Sequence, residues 1–249
     1  MKKIAFITGA TSGIGYSISK VLAKDYALIL CGRRESRLNK IENELSKLTD
    51  IYTLCYDIRD NKNIIKSFNS LPNKWKKIYI LINNAGNAHG MDLIHEGDVS
   101  DWDAMIDINV KGLLYVSKLI IPIMTKSNKG IIINIGSIAG KEIYPKGNVY
   151  CASKYAVDAI TKAMQVDLNK FNIKVSSVNP GLVETEFALV RFKGDKEKAN
   201  LVYDGIKPLT PDDVAEVIYF IINRPDNVNI SDITIFPKNQ ASSTVINRE

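Results

Sequence analysis

Cysteine is scarce in this 249-residue chain: Cys31, Cys55 and Cys151, with no CxxC pair. An odd number of thiols without paired spacing argues against a disulfide framework and points to a reducing cytoplasm. Cys31 and Cys55 fall in expected buried strands, where the thiol acts as a small hydrophobe. Cys151 has no partner that would make it a nucleophile. Histidine is scarcer still: His89 and His95 lack HExxH spacing, so no metal site is expected. Long apolar runs are missing as well. The most apolar long stretch, LLYVSKLIIPIM, is broken by Lys118 and Pro122 and does not span a membrane. The basic start MKKIAFIT is followed by glycines rather than by a cleavage site, so no signal peptide is expected. The net charge of +6 comes from lysines scattered along the chain, without a nucleic-acid motif or interleaved aromatics. This predicts a soluble protein with a lysine-rich surface and neither a nucleic-acid nor a membrane partner.

What is present is an alternation. Short β-branched runs occur at 4–8, 27–31, 51–56, 78–83, 130–135, 174–178 and 232–236. Amphipathic helical patterns lie between them at 14–24, 35–48, 61–70, 100–126, 150–170 and 212–223. Strands alternating with helices imply βαβ units and a parallel sheet. Strands with almost no polar alternation are covered on both faces. The expectation is therefore an α/β, doubly wound (Rossmann) three-layer sandwich with a seven-stranded parallel sheet, a single domain over 1–249. Residues 184–210 have no clear pattern and read as a lid, a binding loop or a surface excursion.

The first strand runs into TGATSGIG, residues 8–15. A strand, a glycine-rich turn and a helix start form a phosphate cradle: Gly9, Ala10, Thr11, Ser12, Gly13, Ile14 and Gly15 let helix N-terminal amides face a pyrophosphate. The second strand ends in Arg33 and Arg34, where an acid would be needed to select a free ribose 2′-hydroxyl. Two guanidinium groups suit a dianionic 2′-phosphate instead, which predicts NADP(H) over NAD(H). After the third strand, Asp57, followed by Ile58, can accept from an adenine amino group or cap the next helix. Asn84, Ala85 and Gly86 follow the fourth strand as small residues at a ligand-bearing sheet edge.

Tyr150 and Lys154 stand four apart at a helix start, on one face. Carbonyl reduction needs a proton for the developing alkoxide, and a free tyrosine at a pKa of about 10 exchanges it poorly. An ammonium about 4 Å away contributes on the order of 4 kcal/mol at an effective dielectric of about 20. That would lower the phenol by about 3 pH units before desolvation offsets part of it. The apolar stripe Val149, Ala152, Ala156, Ile160, Ala163 is expected to form the core face, roughly 120–140° away. Ser137, at the end of the fifth strand, either donates to a substrate oxygen or closes a turn.

TGATSGIG, NNAG, Asn109 in DINVKG, Ser137 in NIGS, YCASK and NPG, in this order, resemble the short-chain dehydrogenase/reductase family over essentially the whole chain. SLPNKW, GMDLIHEGDVSDWDAMID, KGNVYCASK, LVRFKGD and LTPDDVAEVI are similar to its NADP-dependent 3-hydroxy acid dehydrogenases, which act on L-allo-threonine, serine or 3-hydroxypropionate. The resemblance implies a tetrad of Asn109, Ser137, Tyr150 and Lys154, in which Asn109 holds a water linking Lys154 to solvent. It also implies that Pro180, Gly181, Val183, Thr185 and the residues up to Phe187 lie against the nicotinamide. A 3-hydroxy acid carries a carboxylate, and Arg191 and Lys193 are the candidate cations, against the alternative of surface charges in a mobile lid. Tyr155, Ala159 and Val166 form a second apolar face on the 150–170 helix, which suits a homo-oligomer, a tetramer by resemblance. The alternatives are a 3-oxoacyl-carrier-protein reductase or another carbonyl reductase on the same fold, and a non-catalytic NADP-binding sensor.

Overall fold

The computed structural model describes residues 2–248. Its elements are β1 (Ile4–Thr8), α1 (Gly13–Leu22), β2 (Ala27–Gly32), α2 (Glu35–Leu45), β3 (Ile51–Cys55), α3 (Asn61–Asn69), β4 (Ile78–Asn83), α4 (Val99–Ile106), α5 (Leu113–Ser127), β5 (Gly130–Ile135), α6 (Asn148–Leu168), β6 (Ile173–Pro180), α7 (Phe187–Arg191), α8 (Lys196–Leu201), α9 (Pro211–Ile222) and β7 (Asp232–Ile235). The strands form one seven-stranded sheet in the order β3-β2-β1-β4-β5-β6-β7. Every pairing in it is parallel. Successive strands add outward in one direction from β1 to β3 and in the other from β4 to β7, and this switch between β1 and β4 opens a crevice at the carboxyl ends of those strands.

Alternate strand residues feed two cores. Phe6, Ile29, Leu81 and Ile132 pack with α3, α5 and α6 residues such as Ile64, Ile120 and Val157. Ile7, Leu28, Leu30, Ile80 and Ile133 pack with Ile18, Leu38 and Ile218 of α1, α2 and α9. Each such side chain contributes about 1.5–3 kcal/mol by leaving water. Coverage on both faces fails at the sheet margins. Cys55 ends the outermost strand β3 and is exposed, contrary to the expectation of burial. Cys31, one strand further in, is buried.

Two other expectations change. The 100–126 helix is interrupted by a π-helical turn over Asp107–Gly112, which divides it into α4 and α5. The stretch 184–210 contains the short helices α7 and α8.

Candidate active site

The loops after β1, β2, β4, β5 and β6 enclose a cleft of about 510 Å³ at the carboxyl edge of the sheet. Thr8 joins two of them: its Oγ1 accepts from the amides of Asn84 and Ala85, each at 3.0 Å. The Asn84 side chain returns bonds to the carbonyls of Thr8 and Gly9. Gly9 and Gly13 hold φ of +67° and +51°, a backbone region open to glycine. Gly15 lies so close to Gly9 O and Asn84 Nδ2 that any Cβ there would collide with both. Ser12 is the N-cap of α1, and its side chain makes no capping bond. The helix therefore starts against the cleft with amide donors unclaimed by that cap. Thr11, Ser12, Gly13 and Ile14 line the opening, while Ala10 is buried behind it.

Arg33 is exposed and faces the same cleft, with no hydrogen bond or ion pair among the described residues. Arg34 also lines it, but is bonded to Thr11, Ser12 and Glu186. Glycine loop, open helix start and basic β2 tip together fit a dinucleotide bearing an extra phosphate. Asp57 and Ile58 line the far end. Asp57 is held by Arg59 through bonds of 2.7 and 3.0 Å. That bonding keeps its carboxyl below the usual range despite partial burial. It does not cap α3; Asp60 does.

At the other end, Tyr150, Lys154 and Ser137 all line the cleft. The stripe of α6 that is buried runs Tyr150, Lys154, Val157, Thr161, Met164, Leu168. This is the 4-3-4-3-4 spacing of one helix face. The pair therefore lies on the core face, where it had been expected to stand apart from it. Ala152 and Ala163 of the expected core stripe are exposed instead. The reason is that α6 packs its N-terminal turns against the cleft walls, so a polar pair takes positions that apolar residues occupy further along.

Burial governs both ionisable groups. It pushes the Tyr150 phenol above the ordinary tyrosine value, reinforced by Tyr144 and opposed by Ser137 and Arg191. It lowers the Lys154 ammonium to about 8. Lys154 Nζ donates to Ile135 O at 2.9 Å. In the protein alone, then, the phenol is not acidified as the i, i+4 spacing suggested, because desolvation outweighs the opposing influence of Ser137 and Arg191, and Lys154 donates to Ile135 O instead.

Asn109 is buried within the π turn. Its Nδ2 donates to Asn87 O at 2.8 Å and to Ser153 Oγ at 2.9 Å, and its Oδ1 accepts from Asn87 N at 2.9 Å. Ser153 Oγ donates in turn to Tyr150 O at 2.7 Å. Asn109 thus braces the loop after β4 against the Tyr150 turn. Gly86 lies between: a Cβ there would sit 3.2 Å from Asn109 Oδ1 and 3.5 Å from Lys154 Nζ.

Arg191 is 8% exposed, and its guanidinium lies 5.7 Å from the centre of the Tyr150 ring. It donates to Tyr144 Oη at 2.8 Å and to Gly90 O at 3.1 Å. Lys193 is exposed, lies outside the cleft lining and pairs with the buried carboxylate of Asp101 at 2.9 Å. The two candidate cations thus separate, and only Arg191 lines the cleft. Pro180, Gly181, Val183 and Thr185 form the wall after β6, and Phe187 meets the Tyr150 ring edge-on at 5.5 Å. Sequence reasoning missed Tyr144 and Gln240; Glu186 falls in the stretch up to Phe187 expected at the nicotinamide, but its bonds to Arg34 and Arg37 were not foreseen. Gln240 accepts from Leu182 N at 2.9 Å and shapes the same wall. Tyr144 stands between Ser137 and Tyr150 and Gln240 follows β7, and neither carries a local pattern to mark it.

The chain resembles known proteins along nearly its whole length. A 3-hydroxy acid dehydrogenase of Schizosaccharomyces pombe, named as NADP-dependent, is 42% identical over 99% of this chain and 97% of its own. The enzyme of the same name from Escherichia coli is 40% identical over 96% of both. A serine dehydrogenase solved in a closed form with NADP+ superposes with a TM-score of 0.92 at 40% identity, covering 99% of this chain and 100% of that one. The sequence profile described as short chain dehydrogenase matches residues 3–195. With the glycine loop, the cleft and the Ser137, Tyr150, Lys154 cluster in place, the chain belongs to the short-chain dehydrogenase family.

Proposed function

We propose that the chain is an NADP(H)-dependent dehydrogenase, working as a single domain, that interconverts a short 3-hydroxy acid or β-hydroxy amino acid with its 3-oxo form. L-allo-threonine, serine and 3-hydroxypropionate are the compounds to test. The cofactor assignment is supported by the glycine cradle, by the open guanidinium of Arg33 and by relatives named as NADP-dependent. The observation that carries the substrate class is Arg191: a buried, fixed cation in the same cleft as Tyr150. A carboxylate on Arg191 holds a substrate by its charged end and leaves the β-hydroxyl for Ser137 and Tyr150.

When bound, the nicotinamide supplies or removes the hydride. The chain's own groups handle the proton. Ser137 donates to the substrate oxygen, and Tyr150 gives it a proton in reduction or takes one in oxidation. Lys154 is charged at neutral pH, since its value of about 8 lies above it, and so lowers the cost of the phenolate. Asn109 positions the loop after β4 and keeps acceptor capacity on Oδ1 for a relay water.

A carrier-protein thioester, the substrate of the alternative reductase, offers no carboxylate to Arg191. Replacing Arg191 with Ala should raise KM for 3-hydroxypropionate by about tenfold or more, as expected when a charged hydrogen bond is lost. KM for an uncharged secondary alcohol should change little. An equal rise for both defeats the assignment. The exposed face of Tyr155, Ala159 and Val166 supports a homo-oligomer, a tetramer by resemblance. The three free thiols support a cytoplasmic setting.

A further inference from the structure

Arg33 and Arg34 are adjacent in sequence but stand in different surroundings. Arg33 is exposed at the cleft and bonds to nothing among the described residues. Arg34 has all three guanidinium nitrogens engaged. Its Nη2 reaches Ser12 Oγ at 2.7 Å and Thr11 Oγ1 at 3.0 Å, its Nε reaches Thr11 Oγ1 at 3.2 Å, and its Nη1 reaches Glu186 Oε2 at 2.7 Å. The second Glu186 oxygen is taken by Arg37 Nη1 at 2.7 Å. Glu186 immediately precedes α7, the helix that carries Phe187 and Arg191. Beside it, Thr185 Cγ2 lies 3.1 Å from the Cβ position of Gly13. The wall after β6 is thus fastened to the glycine loop and to the start of α2 by one carboxylate between two arginines.

We propose that the two arginines divide the work: Arg33 receives the 2′-phosphate, while Arg34, Glu186 and Arg37 form a strut that fixes α7 over the cleft. Glu186 is then a positioning residue for Arg191 and Phe187. Two physical arguments carry this. A dianionic phosphate on Arg34 would find a single uncommitted Nη1 hydrogen, and would be repelled by the Glu186 carboxylate bonded to that same nitrogen. On Arg33 it finds a guanidinium with every donor open. The strut is half-exposed, with side chains 36–43% accessible, so it is worth a modest, salt-screened amount. It tunes the wall's position; it does not hold the fold together. The inference rests on the readings that this tip meets the 2′-phosphate and that Arg191 meets the substrate.

The test combines binding, exchange and kinetics on Arg33→Ala, Arg34→Ala, Arg37→Ala, Glu186→Ala and Glu186→Gln. Fluorescence titration measures Kd for NADPH and NADH. Arg33→Ala should weaken NADPH by about tenfold to a hundredfold and leave NADH unchanged. Arg34→Ala and Glu186→Ala should leave the NADPH-to-NADH ratio within about twofold. They should also speed amide hydrogen exchange over 183–201 in the cofactor-free protein and raise hydroxy-acid KM about threefold to tenfold at saturating cofactor, with kcat nearly constant. Glu186→Gln, which keeps a hydrogen bond, should recover part of this. Arg37→Ala, at the surface, should repeat it in milder form. The division is overturned if Arg34→Ala destroys the NADPH preference as Arg33→Ala does, or if Glu186→Ala leaves exchange over 183–201 unchanged. If neither arginine affects the ratio, the phosphate reading of this tip falls with it. The binding and exchange arms stand whichever substrate is turned over.

Discussion

Tyr150 and Lys154 oppose each other through the same cause. Burial makes the phenol harder to ionise and the ammonium easier to lose. If Tyr150 is the proton donor proposed above, Tyr150→Phe should lower kcat by about 10²- to 10⁴-fold while NADPH still binds. Steady-state rates beside a fluorescence titration check both halves. Lys154 also sets a stability trend. Its folded value of about 8 lies below the ordinary lysine value of 10.5. Below about pH 8 the folded protein therefore carries the full cost of a buried charge, about 3 kcal/mol. Between about 8 and 10.5 the unfolded chain binds more protons than the folded one, so this cost falls as pH rises. The stability advantage of Lys154→Met over the native protein should shrink across that window in urea titrations. A difference that stays constant with pH would contradict the burial of the charge.

At the scale of elements, the link between the π turn and α6 is the most exacting contact. Ser153 is fully buried and joins Asn109 to the Tyr150 carbonyl. Ser153→Ala leaves the Asn109 amide short of an acceptor, which should cost about 1–3 kcal/mol by denaturant unfolding and lower kcat more than it raises KM. Gly15→Ala meets Gly9 O and Asn84 Nδ2, so it should shift the glycine loop and abolish cofactor binding in a titration. Most elements were legible because strand runs and helix periods announce themselves locally. The run IAFIT is β1 and IYILIN is β4, as their β-branched composition indicates. Asn109 was legible only through the family resemblance; its bonds from the π turn to Asn87 and Ser153 have no local pattern to announce them. The α6 face was misread because Lys154 and Thr161 look like surface residues, and only contact with the cleft and with Asn134 makes them interior.

Across the whole molecule, apolar surface remains on α6. Ala152, Tyr155, Ala159, Ala163 and Val166 line one exposed side of it, with Val166 78% accessible. A self-complementary helix face of this kind supports the proposed oligomer. Val166→Glu should shift the mass measured by light scattering towards smaller species and leave the monomer folded; an unchanged mass would place the interface elsewhere.

The sequence by itself determined the strand and helix order, the parallel doubly wound sheet and the glycine-rich turn after β1, and it singled out Ser137, Tyr150 and Lys154, which line one cleft. These follow from short-range rules: β-branched runs, helical periods, and glycines where backbone must come close. Only the tertiary structure decided that Arg191 and not Lys193 lines the cleft, that Arg34 is engaged while Arg33 is open, and that Tyr150 and Lys154 lie on the buried face of α6. Each of these depends on partners far along the chain, 152 residues apart for Arg34 and Glu186 and 101 for Arg191 and Gly90. Charge and burial belong to the space around a side chain, and that space exists only once the chain has closed on itself.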